Sequence, residues 1–523
     1  MHDDPIPHYF PSRMEGDRLD VTGILRSRLE REPGRAILSF GGDPWTAGRI
    51  RERVISVQAR LAQEGVGRGA RVAVMLENSP DHVALIYALI LMGAVWIPVN
   101  TRLKAPGIEY VLGHARPDLL ICGEAFEPEV LAACQIAGYD RLLPEAALAA
   151  AVVPAGGALT CAPVGPGDLL CIIYTSGTTG APKGVLFSHR MLRIAAESVL
   201  LVADVRAGDR LFLWEPLCHI GGAQMLLVPF LADATLHLVP RFSASRFWDQ
   251  VAEGGCTQVH YLGGILDILM RLPSRPATHT LRVGWGAGVA KANWAAVRDG
   301  MGIALRECYG MTEGSSFATL NAEDRPGSVG KALPWLSVEL LDDQDRPVPV
   351  GEPGQVVVSS RVPGTFFSGY LDNPGATREA LRHGKLYTGD MARADADGYL
   401  YFVGRRTDSM RIRGENVSAW EIERIAATHP DVAAAAAVGV ESGIGEQDVL
   451  LYVQWLEGRE QAFDGLSAWL GDRLASFQWP RYYASVDRFE TTPSERIRKH
   501  RLPRALDGAW DRLAASRVGS GMA

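Results

Sequence analysis

The sequence predicts an α/β protein with a large N-terminal part and a smaller α+β domain at its C-terminus. Short apolar or β-branched runs alternate with helical segments before residue 328, which is typical of largely parallel sheets. Between Ser328 and Tyr401, short strands separated by Pro, Gly and Asp turns favour an antiparallel barrel or sandwich. After residue 408 the pattern changes to a compact α+β unit of about 115 residues, the usual size of one domain.

The individual elements follow from the pattern of apolar residues. The longest apolar run, Val83–Val99, is just short of the ~18–20 residues that cross a bilayer, and Gly93 and Pro98 interrupt it. We therefore expect a buried helix over 80–92, a short buried strand over 94–99 and no membrane span. The other predicted elements are strands at 71–76, 118–123, 168–177, 337–342, 354–360, 433–440 and 449–455, and a helix near 462–476.

Composition and charge exclude several classes of protein. The 523 residues are 47% hydrophobic and 22% charged, as in globular proteins with large cores, and the net charge is −7. A mild negative charge spread along the chain argues against nucleic acid or an anionic membrane as the main partner. Seven cysteines without a CxxC pair indicate neither a disulfide framework nor a zinc site, and the N-terminus lacks signal-peptide features. We expect a protein of the reducing cytoplasm.

The segment Thr175–Gly184 has the composition of a phosphate-binding loop. Its ten residues, TSGTTGAPKG, include three glycines, four Ser or Thr hydroxyls and Lys183, directly after a buried strand. Glycines let backbone N–H groups turn toward an anion, hydroxyls donate to phosphate oxygens, and lysine adds a positive charge. The loop is not a Walker A motif, because a glycine rather than Ser or Thr follows the lysine. The alternative is an ordinary surface turn, for which this composition is also common.

This loop resembles the signature loop of the adenylate-forming superfamily, which comprises acyl- and aryl-CoA synthetases, nonribosomal peptide adenylation domains and firefly-type luciferases. Other segments are similar to the family's motifs and follow the family's order. They are LMGAVWIPVNTRL (91–103), PLCHIGG (216–222), VGWGAG (283–288), YGMTE (309–313), YTGDMA (387–392) and GRRTDSMRIRGENVSAWEIE (404–423). The resemblance implies that residues 1–404 contain two doubly wound α/β subdomains and a small β-barrel-like subdomain over about 328–401. It also implies that residues 405–523 form a mobile C-terminal domain with a hinge near 405–408.

The resemblance further implies a reaction with ATP and a role for most residues of these motifs. A carboxylate would attack the α-phosphate of ATP, an in-line displacement in which positioning and cations carry the catalysis, and a thiol would then displace AMP. Lys183, Thr312 and Glu313 would be catalytic, with Glu313 as the ligand of Mg²⁺. The residues implied in ATP binding are Thr175, Ser176, Gly177, Thr178, Thr179, Gly180, Lys183, Gly286, Ala287, Tyr309, Gly310, Thr312, Asp390 and Arg405.

Two further groups of residues are implied in binding the acyl group and coenzyme A. Trp214, His219, Gly221, Tyr261 and Trp285 would line the acyl pocket, and Arg413, Gly414 and Glu415 would line a tunnel for CoA. Simpler interpretations stay open for single residues. Asp390 fits a turn position, Arg405 a surface ion pair and His219 a satisfied core histidine. Glu313 fits a carboxylate at a helix N-terminus.

The chain departs from the family at a lysine usually found near the C-terminus. That lysine, in a pattern like T-P-x-G-K-I, reaches the substrate carboxylate and α-phosphate, whereas the corresponding stretch here is TPSERI, with Arg496 in its place. Three hypotheses follow: Arg496 does the work, Lys499 substitutes for it, or adenylation is slow. We favour Arg496 as the catalytic residue, because arginine also binds carboxylate and phosphate well.

The expected function is that of an ATP- and Mg²⁺-dependent acyl-CoA ligase that activates a small or medium carboxylic acid through an acyl-adenylate. Its partners would be that carboxylate, ATP and CoA, without nucleic acid, and a homodimer is left open. The segments RGENVSAWEIE, HPDV and GIGEQDV are similar to those of crotonobetaine/carnitine-CoA ligase-like enzymes. Two alternatives remain: an enzyme that loads a phosphopantetheinyl carrier protein, and a nucleotide-binding homologue with weak or no turnover.

Overall fold

The chain is a mixed α/β protein with a large N-terminal and a smaller C-terminal domain, which confirms the predicted fold class. A computed structural model describes residues 8, 10–12, 20–175, 181–270, 272, 276, 278–289, 291–342, 344–405, 409–412, 415–442, 446–459, 461–490, 497 and 499–514. The chain divides into two compact units. One consists of residues 1–101, 111–174 and 184–404, and the other of residues 102–110, 175–183 and 405–523.

Strands supply most of the framework of both units. In chain order they are β1 (Ala36–Phe40), β2 (Asp43–Thr46), β3 (Arg71–Met75), β4 (Val95–Pro98), β5 (Leu119–Cys122), β6 (Leu142–Pro144), β7 (Leu169–Thr175), β8 (Lys183–Ser188), β9 (Arg210–Leu213), β10 (Thr235–Leu238), β11 (Gln258–Leu262), β12 (Val283–Ala287), β13 (Ala304–Met311), β14 (Ser316–Asn321), β15 (Lys331–Ala332), β16 (Leu336–Leu341), β17 (Gly354–Ser360), β18 (Leu381–Arg382), β19 (Lys385–Ala394), β20 (Leu400–Arg405), β21 (Ser409–Ile412), β22 (Glu415–Ser418), β23 (Val432–Glu441), β24 (Gln447–Trp455), β25 (Tyr482–Ser485) and β26 (Trp510–Asp511).

The α-helices connect and cover these strands. They are α1 (Val21–Arg31), α2 (Ala47–Gln63), α3 (Pro80–Met92), α4 (Ala105–Ala115), α5 (Glu127–Ala137), α6 (Glu145–Ala149), α7 (His189–Val202), α8 (Ile220–Ala223), α9 (Val228–Leu231), α10 (Phe247–Gly254), α11 (Gly263–Met270), α12 (Trp294–Met301), α13 (Pro374–Ala380), α14 (Ala419–Ala426) and α15 (Phe463–Gly471). None of the helices in the described part of the chain combines the length and apolar character that a bilayer crossing needs.

The larger of the two main sheets has the order β15-β14-β13-β12-β11-β9-β10-β1-β2. Its central strands, from β13 through β1, run parallel to one another, and antiparallel strands close both edges. The carboxyl ends of β9, β11, β12 and β13 therefore meet along one edge of the sheet. In open parallel sheets that edge is where ligands bind.

The second main sheet has the order β6-β5-β3-β4-β7-β8 and contains the apolar run singled out above. Helix α3 occupies 80–92 as predicted, and all of its residues except Asp81 are buried. The Ser79 hydroxyl caps its N-terminus by accepting a hydrogen bond from the His82 N–H, and Gly93, with φ of 65°, ends it in a left-handed turn. Strand β4 then runs over 95–98, within the predicted range. Local cap and turn residues explain why this prediction is confirmed.

The remaining sheets follow the predicted change of pattern. Strands β16 to β20 form an antiparallel sheet, and β23-β24-β25-β26 form the sheet of the C-terminal unit. Helix α15 ends at residue 471, five residues short of the prediction, because the chain turns there to bury Leu474 and form a separate 3₁₀ turn at Ser476–Gln478. Near the residues implied in the CoA tunnel, β21 pairs with β22 in antiparallel register.

Helix α7 holds a buried ionic network within the N-terminal core. Arg193 and Glu197 have no exposed side-chain surface, and their Nη2 and Oε1 atoms are 2.9 Å apart. The Arg193 guanidinium also donates to the Ser12 hydroxyl at 2.8 Å, and the Ser12 N–H donates to Glu197 at 3.1 Å. Phe10, two residues earlier, packs edge-on against Trp335. The network thus fastens residues 10–12 to the core, where charges are tolerated because they are paired.

Candidate active site

The predicted phosphate loop lies between two strands of one sheet. Thr175 ends β7 and Lys183 begins β8, and both side chains are partly buried. Ser176, Gly177, Thr178, Thr179 and Gly180 lie outside the described residues. At the far end of the loop, the Tyr110 hydroxyl donates to the Pro182 carbonyl at 2.9 Å. The strand–loop–strand arrangement agrees with the predicted location directly after a buried strand.

Four of the residues implied in ATP binding lie at the carboxyl ends of β12 and β13. Gly286 and Ala287 end β12, and Tyr309 and Gly310 lie near the end of β13. A Cβ atom at Gly286 would lie 1.9 Å from the Tyr261 carbonyl oxygen, so only glycine fits this position. The side-chain-free backbone therefore lets this loop pack directly against the Tyr261 carbonyl.

A buried carboxylate that sequence reasoning missed fixes the same loop. Glu307 Oε1 accepts hydrogen bonds from the backbone N–H groups of Gly288 and Val289, and Oε2 accepts one from the Tyr261 hydroxyl at 2.7 Å. Burial raises the pKa of Glu307 from 4.5 to about 7, although these three donors oppose the shift. The signal in the sequence was a buried acidic residue, next to Arg306, within the strand Ala304–Met311.

We expect Glu307 to make the stability of the protein depend on pH. Its folded-state pKa is raised, so the protonated form is favoured on folding, and stability should fall as pH rises from about 4.5 to about 7 and level off above. The total loss should be on the order of 3 kcal/mol. Urea unfolding of wild type and Glu307→Gln across this pH range measures the difference, because glutamine keeps the acceptor oxygen but does not titrate.

The matched control for this pH dependence is Glu352→Gln, since Glu352 is exposed on the surface. Its unfolding midpoint should follow that of the wild type at every pH. Parallel profiles for wild type and Glu307→Gln would show that Glu307 is not the titrating group.

Two residues implied in ATP binding, Tyr309 and Asp390, contact each other directly. The Tyr309 hydroxyl donates to Asp390 Oδ2 at 2.6 Å, although 80 residues separate them along the chain. Asp390 is buried, and its backbone N–H donates to the Thr388 hydroxyl. This contact joins β13 of the large sheet to β19 of the antiparallel sheet. Arg405 ends β20, and its side chain lies outside the described residues.

Thr312 and Glu313 occupy the turn between β13 and β14. Thr312 is buried, and Glu313 Oε1 accepts a hydrogen bond from the Tyr370 hydroxyl at 2.8 Å. Ser315 and Ser316 follow with φ of 59° and 76°, a left-handed conformation that non-glycine residues rarely adopt. The Ser315 hydroxyl donates to the Thr365 carbonyl, which helps to hold this turn. The Glu313 carboxylate is thus held by Tyr370, and its turn by the contact between Ser315 and Thr365.

The residues implied in the acyl pocket surround the carboxyl ends of β9, β11 and β12. Trp214 is buried directly after β9, and Tyr261 and Trp285 are fully buried within their strands. His219 and Gly221 are partly exposed, and His219 Nε2 lies 3.4 Å from Asn100 Nδ2. The Tyr261 hydroxyl donates to Glu307, and the Tyr261 ring packs within the hydrophobic core.

Three residues near this pocket were not predicted from the sequence. Glu215 and His260 form a buried pair, described below. Asn78, which follows β3 in the other sheet, donates to the Glu215 carbonyl at 2.8 Å and accepts from the Leu217 N–H at 3.0 Å. Asn78 therefore fixes the segment between Trp214 and His219. No local pattern marks such a residue, because its role depends on how the two sheets meet.

The C-terminal unit contains the remaining predicted residues. Glu415 begins β22 and is buried, whereas Arg413, Gly414 and Arg496 lie outside the described residues. Lys499 is described, and its Nζ lies 2.5 Å from Glu423 Oε1, with both side chains less than one-fifth exposed. Glu423 also accepts a hydrogen bond from the Ala437 N–H at 2.6 Å. Lys499 is thus engaged within its own domain.

The two α/β sheets and the ordered sequence motifs are those of an adenylate-forming enzyme. Residues 25–371 match the model of the AMP-binding enzyme family, and residues 421–496 match that of the AMP-binding enzyme C-terminal domain. The chain therefore belongs to the AMP-binding enzyme family.

Individual relatives agree with this membership. A crotonobetaine/carnitine–CoA ligase of Shigella sonnei is 30% identical over 446 residues, which span 80% of this chain and 85% of that protein. Among solved structures, o-succinylbenzoate CoA synthetase of Bacillus subtilis superimposes with a TM-score of 0.83 at 23% identity, covering 92% of this chain and 98% of that one. An amide bond synthetase of Marinactinospora thermotolerans superimposes with a TM-score of 0.81 at 26% identity, covering 91% and 98%.

Proposed function

We propose that the chain is an ATP-dependent acyl-CoA ligase that activates a small or medium carboxylic acid. The observation that carries this proposal is the contact between Tyr309 and Asp390 at the carboxyl edge of the sheet, next to the Gly286 loop. An aromatic ring, a buried carboxylate and an open backbone suit the base and ribose of a nucleotide. The family membership and the CoA ligase relative support the same activity.

In the first step, a carboxylate oxygen of the substrate bonds to the α-phosphorus of ATP and the bond to pyrophosphate breaks. Negative charge crowds around the phosphorus, so nearby donors and cations lower the barrier. On the resemblance of their motifs to those of the family, we assign Lys183 to the β- and γ-phosphates and Thr312 to the α-phosphate. The cation for the substrate carboxylate is Arg496 in this proposal, because Lys499 is already paired with Glu423.

The described residues fit one Mg²⁺ ion that binds together with ATP. No three acidic, histidine or cysteine side chains converge anywhere in the described part of the chain. A magnesium ion bound with nucleotide needs only one or two carboxylates, since substrate phosphates and water complete its shell. Glu313 supplies one carboxylate, held by Tyr370. When bound, the ion would offset charge on the phosphates.

In the second step, the sulfur of CoA bonds to the acyl carbon, AMP leaves, and the thiol proton passes to solvent. AMP is a good leaving group, so no histidine is needed as acid or base, and we assign His219 to the pocket wall. Arg413, Gly414 and Glu415 are proposed to line the CoA tunnel once residues 405–523 have turned about the hinge near 405–408.

We also propose the reducing cytoplasm as the compartment, because all seven cysteines are free thiols.

The test is to measure AMP and pyrophosphate with ATP, Mg²⁺ and a panel of carboxylates. With an accepted acid we expect AMP and acyl-CoA in equal amounts when CoA is present, and little AMP without an acceptor. Turnover with a phosphopantetheinyl carrier protein in place of CoA would support the carrier-loading alternative. Turnover with a primary amine would place the chain with the amide bond synthetase it resembles. Nucleotide binding without AMP from any acid would contradict the proposal.

A further inference from the structure

Two ionisable side chains lie buried together beside the residues expected to line the acyl pocket. Glu215 Oε1 and His260 Nδ1 are 3.0 Å apart, and their side chains are 11% and 9% exposed. Glu215 lies just beyond the end of β9, and His260 lies near the end of β11, the neighbouring strand. Two polar, ionisable side chains at the ligand-binding edge of a parallel sheet cost desolvation energy that packing alone does not require.

Aromatic rings enclose this pair. The His260 ring is centred 4.3 Å from Trp285 and 6.3 Å from Phe317, and it stacks on Trp214 at 6.4 Å. The Trp214 indole N–H donates to the His260 carbonyl at 2.8 Å, which holds both rings in position. The Trp285 indole N–H is fully buried and has no hydrogen-bond partner among the described residues. A carboxylate within aromatic walls suits an apolar chain that ends in an electropositive group.

The Glu215 carboxylate lies against Gly221, one of the residues implied in the acyl pocket. A Cβ atom at Gly221 would lie 1.8 Å from Glu215 Oε2, so any side chain at this position would collide with the carboxylate. Gly221 is partly exposed and belongs to PLCHIGG. The Asn78 side chain donates to the Glu215 carbonyl and so fixes the backbone of Glu215. The position of the carboxylate is therefore set from two sides.

We propose that Glu215, oriented by His260, selects the acyl group, favouring a carboxylic acid whose far end carries a hydroxyl or ammonium group over a plain hydrocarbon acid. The inference rests on the proposed function. The carboxylate accepts a hydrogen bond from either group, and the aromatic rings contact the methylene chain between the two ends of the substrate. A hydrocarbon end offers the carboxylate no donor, so a plain acid gains no such bond in this desolvated site.

The experiment compares linear acids from propionate to hexanoate with their ω-hydroxy and ω-amino counterparts, each matched to a methyl-terminated acid with the same number of heavy atoms. AMP formation with CoA gives kcat/KM for each. The wild type should prefer the polar-ended acid by roughly 10- to 100-fold, the range of a hydrogen bond to a charged group. Glu215→Leu should abolish this preference. Glu215→Gln should keep the preference for hydroxyl and lose that for ammonium, because it keeps the acceptor but not the charge.

The control variant is His237→Leu, a second buried histidine of the same sheet, which contacts Ser39 instead of the pocket. It should lower the unfolding midpoint and leave the selectivity unchanged, and the KM for ATP should stay constant in all variants. Equal use of both kinds of acid by the wild type would overturn the inference, as would a Glu215→Leu variant that is less stable but equally selective. Absence of AMP with every acid would instead contradict the proposed function, and the inference with it.

Discussion

Replacing Arg496 with alanine is expected to slow acyl-adenylate formation by about 10²–10³-fold, the usual effect of removing one group that stabilises charge in a transition state. Arg496 occupies the position where the family usually carries a lysine. Arg496→Lys should therefore retain most of the activity. The measurement is carboxylate-dependent exchange of pyrophosphate into ATP without CoA, which isolates the first step.

The matched comparison for this prediction is Lys499→Ala. Lys499 is paired with Glu423, which also accepts the Ala437 N–H, so its removal should lower the stability of the C-terminal unit and leave exchange nearly unchanged. Arg501→Ala removes an exposed cation paired with Glu490 and serves as a second control. Loss of exchange in Lys499→Ala together with normal exchange in Arg496→Ala would assign the role to Lys499.

The second large effect concerns stability. Arg193→Met should lower the free energy of unfolding by about 3–5 kcal/mol, because it leaves the fully buried Glu197 carboxylate without its cation. The double variant with Glu197→Leu should recover most of this loss, since it removes both charges at once. Urea unfolding followed by tryptophan fluorescence gives the midpoints.

An exposed ion pair supplies the control for this stability effect. Arg325 and Asp397 are 2.8 Å apart, with side chains 36% and 64% exposed. Asp397→Ala should change the free energy of unfolding by no more than about 1 kcal/mol. If the double variant at 193 and 197 were as unstable as Arg193→Met, the loss would come from packing rather than from the unpaired charge.

The sequence was sufficient for those features that depend on local patterns. Helix α3 was predicted because its apolar run ends at Gly93 and at no earlier turn residue. The phosphate loop stays a prediction, made because its glycines, hydroxyls and lysine are contiguous. The nucleotide motifs were predicted because each carries its own short pattern. Of the residues in these motifs, Tyr309 and Asp390 are brought into direct contact.

Features that depend on the order of strands could not be predicted. Strand β10 lies on the far side of β9, so β9 and β11 become neighbours although another strand separates them in the chain. The contact between Glu215 and His260 exists only because of this order. In the sequence, Glu307 likewise gives no sign of its partners, because only the fold brings the N–H groups of Gly288 and Val289 to its carboxylate. Periodicity carries no information about such partners.

The hairpin formed by β13 and β14 carries residues proposed for the nucleotide and a residue that contacts the proposed acyl pocket. Tyr309 lies on β13, Glu313 lies at the turn, and Phe317 on β14 is paired with Gly310 and reaches the ring of His260. This one hairpin thus contains residues proposed for nucleotide binding and a residue that contacts His260 beside the proposed acyl pocket. If ATP shifts this hairpin in a way that improves acyl binding, linkage requires that the acid improve ATP binding by the same factor. The two substrates would then bind cooperatively through one antiparallel turn.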